Sequence, residues 1–153
     1  MSDIEARLRT IEDRIAIENV LLAYYTAVDS MHDLNGLVDC FTADGVFDVS
    51  KLGLTSYVGH EAIRGFFEGV FKDTAYHAHH VSNFRISRLE GDEATAHGYV
   101  SAAAEGRDSP KIFVHCGYDM ELVRTAGGWK IRAFDEYALV PLGDSVSELH
   151  AGH

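Results

Sequence analysis

The chain is short of cysteine, proline and basic residues, and each shortage removes a class of protein. Two cysteines, Cys40 and Cys116, supply neither a disulfide framework nor a cysteine-rich zinc motif. Two prolines beside 14 glycines exclude a fibrous or collagen-like chain. Lysine and arginine number 13 against 24 aspartates and glutamates, for a formal net charge of −11. An acidic surface repels phosphate backbones and anionic lipid, so neither nucleic acid nor a membrane is an expected partner. No apolar run approaches the ~20 residues of a membrane span. The opening stretch MSDIEARLRTIEDR is charged from its third residue, unlike a secretory or transit peptide. The expected location is therefore the cytoplasm.

What is present fits one globular domain. Hydrophobic residues make up 46% and charged residues 24% of the 153 positions. A chain of this length buries well over half of its unfolded surface. Nine histidines are more than a chain this size usually carries, and they are where chemistry is sought.

Ser2-x-x-Glu5 has the form of a capping box. Ile4, Leu8, Ile11 and Ile15 then recur at helical spacing, continued by Ile17, Val20, Leu21, Tyr24, Tyr25 and Val28. The pattern predicts one long helix, or two nearly collinear ones, over 3–30. Asp33 is a fresh N-cap candidate for a short helix carrying Leu34, Leu37, Val38 and Phe41, ended by Asp44-Gly45. Val46–Val49 and Ser56–Val58 read as short strands, and Ala62–Phe71 as a helix. From His77 onward the chain alternates as strands. Turns are expected at Glu90-Gly91-Asp92 and Ala126-Gly127-Gly128, and a polar loop at 105–110. Residues 1–140 form the expected domain, and 141–153 a tail.

Helices first and hairpin-linked strands last mean α+β. The expected architecture is a curved antiparallel sheet with helices on one face, enclosing a cavity for a small molecule. Both faces of the strand over 112–124 carry apolar groups, so a homo-oligomer, dimer or trimer, joined through the sheet is expected.

Asp29 ends the long helix in AYYTAVDS, on the stripe of Tyr25. A carboxylate there opposes the helix macrodipole unless something else holds it. His77 and His79 share one face of the entering strand, and His80 takes the other. An imidazole in a pocket is a natural base near neutral pH. A carboxylate bonded to one ring nitrogen fixes the tautomer and raises the basicity of the other. Zinc needs three or four convergent ligands, and no motif supplies them at recognised spacing, so no metal or cofactor is expected.

AIENVLLAYYTAVDSMHDLNGLVDCFTADGVFDV, YVGHEAIRGFF, HHVSNFRI and YDMELVRTAGGWKI resemble, in that order, the SnoaL-like branch of the nuclear-transport-factor-2-like superfamily. The resemblance spans residues 8–138 and implies an α+β cone. Its dehydratase and dehydrochlorinase members are the most similar. They carry an Asp in the helix-end motif, at Asp29 here, and a His before the first long strand, at His79 here. The bile-acid dehydratase pattern adds a Tyr five residues before the Asp, which is Tyr24, with Tyr25 beside it. The dehydrochlorinase pattern has an Arg five residues after the Trp, where this chain has Phe134. Arg132 stands two residues earlier and, by alternation, on the same face.

The resemblance implies a cofactor-independent lyase of dehydratase type, with Asp29, His79 and Tyr24 as catalytic residues. The substrate is expected to be a small, mostly apolar cyclic compound lined by Tyr25, Phe47, Tyr57, His97, His115, Arg132 and Phe134. The same fold also hosts isomerases of the ketosteroid type and non-catalytic ligand-binding or association modules, and the residues alone do not separate these.

Overall fold

The computed structural model describes residues 2–108 and 111–142. Helix α1 (Asp3–Ser30) opens on the expected capping box. The Ser2 hydroxyl accepts from the Glu5 N–H at 3.2 Å, and Glu5 accepts the Ser2 N–H at 2.6 Å. It ends where Met31 turns into the left-handed region at φ 54°. Its apolar residues form two stripes on nearly opposite sides of a helix with ~3.6 residues per turn. Ile17, Leu21, Tyr24 and Val28 are buried against the sheet, whereas Ile4, Leu8, Ile11 and Ile15 are exposed at 74, 53, 55 and 55%. The periodic run of isoleucine and leucine in the first turns is thus not a core face.

Helix α2 (Leu34–Asp39) is capped by Asp33, whose carboxylate accepts the Gly36 N–H at 2.9 Å. It stops before the expected end, because Phe41 already belongs to strand β1 (Phe41–Asp48). Asp44-Gly45 lies within that strand, where the register with its neighbour slips between Phe41 and Val46. A 3-10 turn over Ser50–Leu52 leads to β2 (Ser56–Val58) and to helix α3 (Gly59–Asp73). Four long strands follow: β3 (Thr74–Glu90), β4 (Glu93–Gly106), β5 (Lys111–Thr125) and β6 (Gly128–Ala138).

The six strands lie in the order β2-β1-β6-β5-β4-β3. The meander from β3 to β6 is antiparallel, as expected, but β1 joins β6 in parallel. The parallel pairing arises because the chain leaves β1 through α3 and crosses the whole sheet before β6 returns beside it. The result is an α+β cone: a curved, unclosed sheet with the helices on its inner face.

Alternation sets the two faces. Ala94, Ala96, Val100 and Ala104 of β4, with Ile112, Cys116, Tyr118, Met120 and Leu122 of β5, point into the core. Gly98 continues the inner row of β4. A Cβ there would sit 2.0 Å from the Tyr118 hydroxyl, so glycine lets that ring lie across the strand. Near the wide end of the sheet, Asp13 is buried and accepts both Arg124 guanidinium nitrogens at 2.7 Å and the Trp129 indole N–H at 3.2 Å. The Arg124 guanidinium lies 4.6 Å over the Trp129 ring. This cluster pins α1 to the β5–β6 turn. No helix among the described residues is long and apolar enough to cross a membrane.

Candidate active site

Asp29 is in the last turn of α1, and His79 is on the inner face of β3, opposite Ala102 of β4. Burial of α1 against the sheet brings them together across 50 residues of sequence. The His79 ring Nδ1 lies 2.6 Å from Asp29 Oδ1, and the His79 backbone N–H donates to Asp29 Oδ2 at 3.0 Å. Both carboxylate oxygens are thereby engaged by one residue, which answers the unfavourable placement of an acid at a helix C-terminus. Burial by itself would raise the Asp29 carboxyl, but the hydrogen bonds from the His79 ring and backbone outweigh it and hold it below the usual range. An ionised Asp29 makes Nδ1 the protonated nitrogen and leaves Nε2 as the basic one.

The His79 side chain is only 11% exposed and lines a cavity of about 100 Å³. Tyr24, Tyr25, Phe47, His77, Cys116 and Glu136 are also on its wall, and the remainder is mostly aliphatic or aromatic. Tyr24 and Tyr25 meet edge to face, with ring centroids 4.9 Å apart, and Tyr25 lies 4.9 Å from the His79 ring. The choice left open between the two tyrosines resolves to both being on the wall. Burial pushes both hydroxyls well above the ordinary tyrosine value, so they are neutral hydrogen-bond donors. The Tyr25 hydroxyl is buried with no partner among the described residues.

The other expected lining residues lie elsewhere. His97 and His115 are on the outer face of the sheet, because the inner rows of β4 and β5 run through the even-numbered positions. His97 bonds Asp119 through Nδ1 and the Ser87 hydroxyl at 2.8 Å through Nε2, and His115 bonds the Ser101 hydroxyl at 2.9 Å. Arg132 is also outside, paired with Glu93 at 3.1 Å and Glu121 at 3.2 Å. A bulge in β6 parts it from Phe134. Ile131 pairs with Leu122 and Ala133 with Glu121, so Arg132 is an extra residue and alternation reverses across it. Phe134 is fully buried beneath Tyr24 at 5.2 Å, and Tyr57 stacks behind the wall on Phe47 and Phe66.

The same bulge hides a residue that the sequence reading missed. Counting alternately from the buried Trp129 puts Glu136 outside. Beyond Arg132 it instead follows Phe134 on the inner face, opposite Tyr118, and reaches the cavity. Burial raises its carboxyl above the ordinary 4.5, against the pull of His79 and of a hydrogen bond from the Cys116 thiol. Burial likewise pushes the Cys116 thiol up to about 12, which keeps it neutral. A run of apolar residues interrupted by the two acids Asp135 and Glu136 in RAFDEYALV was the available signal, but it needs the bulge to tell which of them faces inward.

Asp29, His77 and His79 each offer one ligand atom, all within 4.8 Å of one another. The fold therefore gathers three possible metal ligands, where sequence spacing suggested none. In the structure Asp29 and His79 already bind each other through Nδ1, so Asp29 could ligate a metal directly only by giving up that contact.

Residues 9–135 match the family model of the SnoaL-like domain. Among solved structures, a Novosphingobium aromaticivorans protein provisionally named an aromatic ring hydroxylase is 40% identical, with a TM-score of 0.86 over 91% of this chain and 97% of its own. A provisionally named scytalone dehydratase from the same species is 21% identical, with a TM-score of 0.77 over 86% of this chain and 87% of its own. A hexachlorocyclohexane dehydrochlorinase from Novosphingobium barchaimii is 20% identical, with a TM-score of 0.78 over 90% of this chain and 95% of its own.

Proposed function

The chain belongs to the SnoaL-like domain family, and from that premise we propose that it is a cofactor-independent lyase of dehydratase type. The observation that carries this reading is the Asp29–His79 hydrogen bond at the wall of an apolar cavity. His79 Nε2 takes a proton from carbon, and the Asp29 carboxylate stabilises the imidazolium that forms. A hydroxyl on the neighbouring carbon leaves, and Tyr24 donates a hydrogen bond to that oxygen or to a substrate carbonyl. Such a carbonyl is needed chemically, because an imidazole removes a proton from carbon only where the resulting charge is delocalised.

The substrate is small, cyclic and mostly apolar. A cavity of about 100 Å³ is the size of one ring rather than of a polyketide. None of the described residues on its wall is Lys or Arg, so a neutral compound suits it better than a carboxylate or phosphate. Tyr76, Tyr99 and Phe113, on the outer face of the sheet and exposed at 70, 43 and 72%, are where we place self-association into a dimer or trimer.

The test uses β-hydroxycyclohexanone, whose loss of water gives a conjugated enone followed by its ultraviolet absorbance. Wild-type protein is expected to accelerate it, and His79→Ala is expected to remove the acceleration with the fold intact. Turnover that survives His79→Ala refutes the reading.

A further inference from the structure

Loss of water needs two proton movements, and the Asp29–His79 pair accounts for one. Hydroxide is a poor leaving group, so the departing oxygen must receive a proton as its bond to carbon breaks. Tyr24 and Tyr25 are poorly suited to give one, since burial makes their hydroxyls hold their protons more tightly than free tyrosine does. One further acid reaches the same cavity, and its burial favours the protonated form. Glu136 comes from β6, opposite His79 of β3 across the inner face, with Cys116 also on the wall. No Lys or Arg among the described residues forms an ion pair with it.

We propose that Glu136 is the proton donor of this cavity, delivering its carboxyl proton to the departing oxygen while His79 takes one from carbon. This rests on His79 acting as the base. The step balances: the C–H proton goes to Nε2, its electron pair forms the double bond, the C–O bond breaks towards oxygen, and the Glu136 proton completes a water molecule. The site is left as imidazolium and carboxylate, and solvent exchange returns it to its starting state. The groups that face Glu136 are His79 on β3, Cys116 and Tyr118 on β5, and Tyr24 and Tyr25 on α1. Of these only His79, once protonated, favours the ionised form through its charge. Burial is the larger influence and favours the protonated form of Glu136 in the resting cavity.

The test compares two leaving groups on one ring. β-Hydroxycyclohexanone needs a proton for its leaving oxygen, whereas β-chlorocyclohexanone releases chloride without one, and both give the same enone. Glu136→Gln is expected to slow the hydroxy compound about 100-fold and the chloro compound less than about 3-fold. Infrared difference spectra of wild type against Glu136→Gln are expected to show a protonated carboxyl stretch at neutral pH that Glu136→Gln lacks. Equal losses on both compounds, or a carboxylate band in place of the carboxylic acid, overturn the proposal. Chloro-compound turnover that survives His79→Ala strikes at the base reading instead, so the two failures are told apart.

Discussion

Two histidine–aspartate pairs lie on opposite faces of the same sheet. His79 and Asp29 meet on the inner face, and His97 and Asp119 on the outer face, each through the ring Nδ1 and a carboxylate oxygen. The bond types are the same, but the settings differ. The inner side chains are 11 and 32% exposed, the outer ones 36 and 47%. His97 spends its second nitrogen on the Ser87 hydroxyl, while His79 presents its own to a cavity. An imidazole–carboxylate pair is therefore not a site by itself. It becomes one when the second nitrogen is unengaged and water is scarce enough for the carboxylate to matter.

The largest expected effects set the two pairs directly against each other. His79→Ala should lower turnover of β-hydroxycyclohexanone by about 10³-fold or more, and Asp29→Asn by about 10²–10³-fold, through loss of the tautomer and of imidazolium stabilisation. His97→Ala and Asp119→Asn should leave the rate within about 2-fold, because the outer pair touches no cavity wall. Steady-state kinetics on the four variants, with melting curves to exclude unfolding, decide the matter. A rate loss in the outer pair as large as in the inner one would erase the distinction drawn here.

How far the sequence reveals the two pairs depends on parity. The inner pair was legible because AVDS ends a long amphipathic helix and HHVSN enters a strand, and a family pattern joins the two segments. His97 and His115 were assigned to the cavity without a face, although the alternation of Ala94, Ala96 and Val100 already directs odd positions outward. Glu136 was beyond reach for a physical reason: a one-residue bulge at Arg132 reverses the alternation beyond it, which also parts Arg132 from Phe134, and nothing in KIRAFDE marks it. The first half of α1 misled through composition, since Ile4 to Ile15 repeat with helical spacing but on the side away from the sheet. Strand order and the parallel β1–β6 pairing are non-local and leave no periodic trace. The expected tail from residue 143 onward lies outside the described residues.

A third charged cluster sharpens the comparison from the side of stability. Asp13 is more deeply buried than Asp29, yet it faces no chemistry: Arg124 and Trp129 satisfy it. Asp13→Ala should cost about 1–3 kcal/mol of folding free energy, because it removes the buried acceptor of two Arg124 nitrogens and of the Trp129 indole and leaves Arg124 only its contact to the exposed Asp92 at 2.8 Å. Turnover per folded molecule should be unchanged. The hydrogen bond from Arg124 holds the Asp13 carboxyl below its ordinary 3.8. Its contribution is therefore present above that value and is lost as pH falls through the lowered one. Urea melts of wild type and Asp13→Ala should converge in that acid window and diverge above it.

Glu136 has the opposite sign, and its effect is smaller. Burial raises its folded value above the ordinary 4.5. The stability it contributes is full below 4.5 and declines as pH rises through the folded value, because ionisation then occurs inside the protein. Glutamine does not titrate. Glu136→Gln should thus match wild type in acid and melt higher in alkali, by about 3–5 °C for a domain of this size. Calorimetric scans across pH check this. A gap that closes with rising pH would mean that Glu136 is ionised in the folded protein throughout.

The smallest expected effect concerns metal, and it too separates the two faces. The inner pair has His77 beside it, making three possible ligand atoms, while the outer pair belongs to no such group among the described residues. Geometry alone would make the inner site a metal site. The hydrogen bonding argues otherwise. Asp29 already receives the ring and backbone N–H groups of His79, so an ion taking Asp29 as a direct ligand would have to displace those contacts. An ion on His79 Nε2 would leave them intact but would have only His77 of this group beside it, short of the three or four ligands of a zinc site. Prolonged dialysis against chelator should therefore change turnover by less than about 2-fold. Elemental analysis of the dialysed protein should find no stoichiometric zinc or iron. If activity were lost on chelation and restored by one equivalent of a divalent ion, His79 would be a ligand rather than a base, and His77→Ala would then be as damaging as His79→Ala.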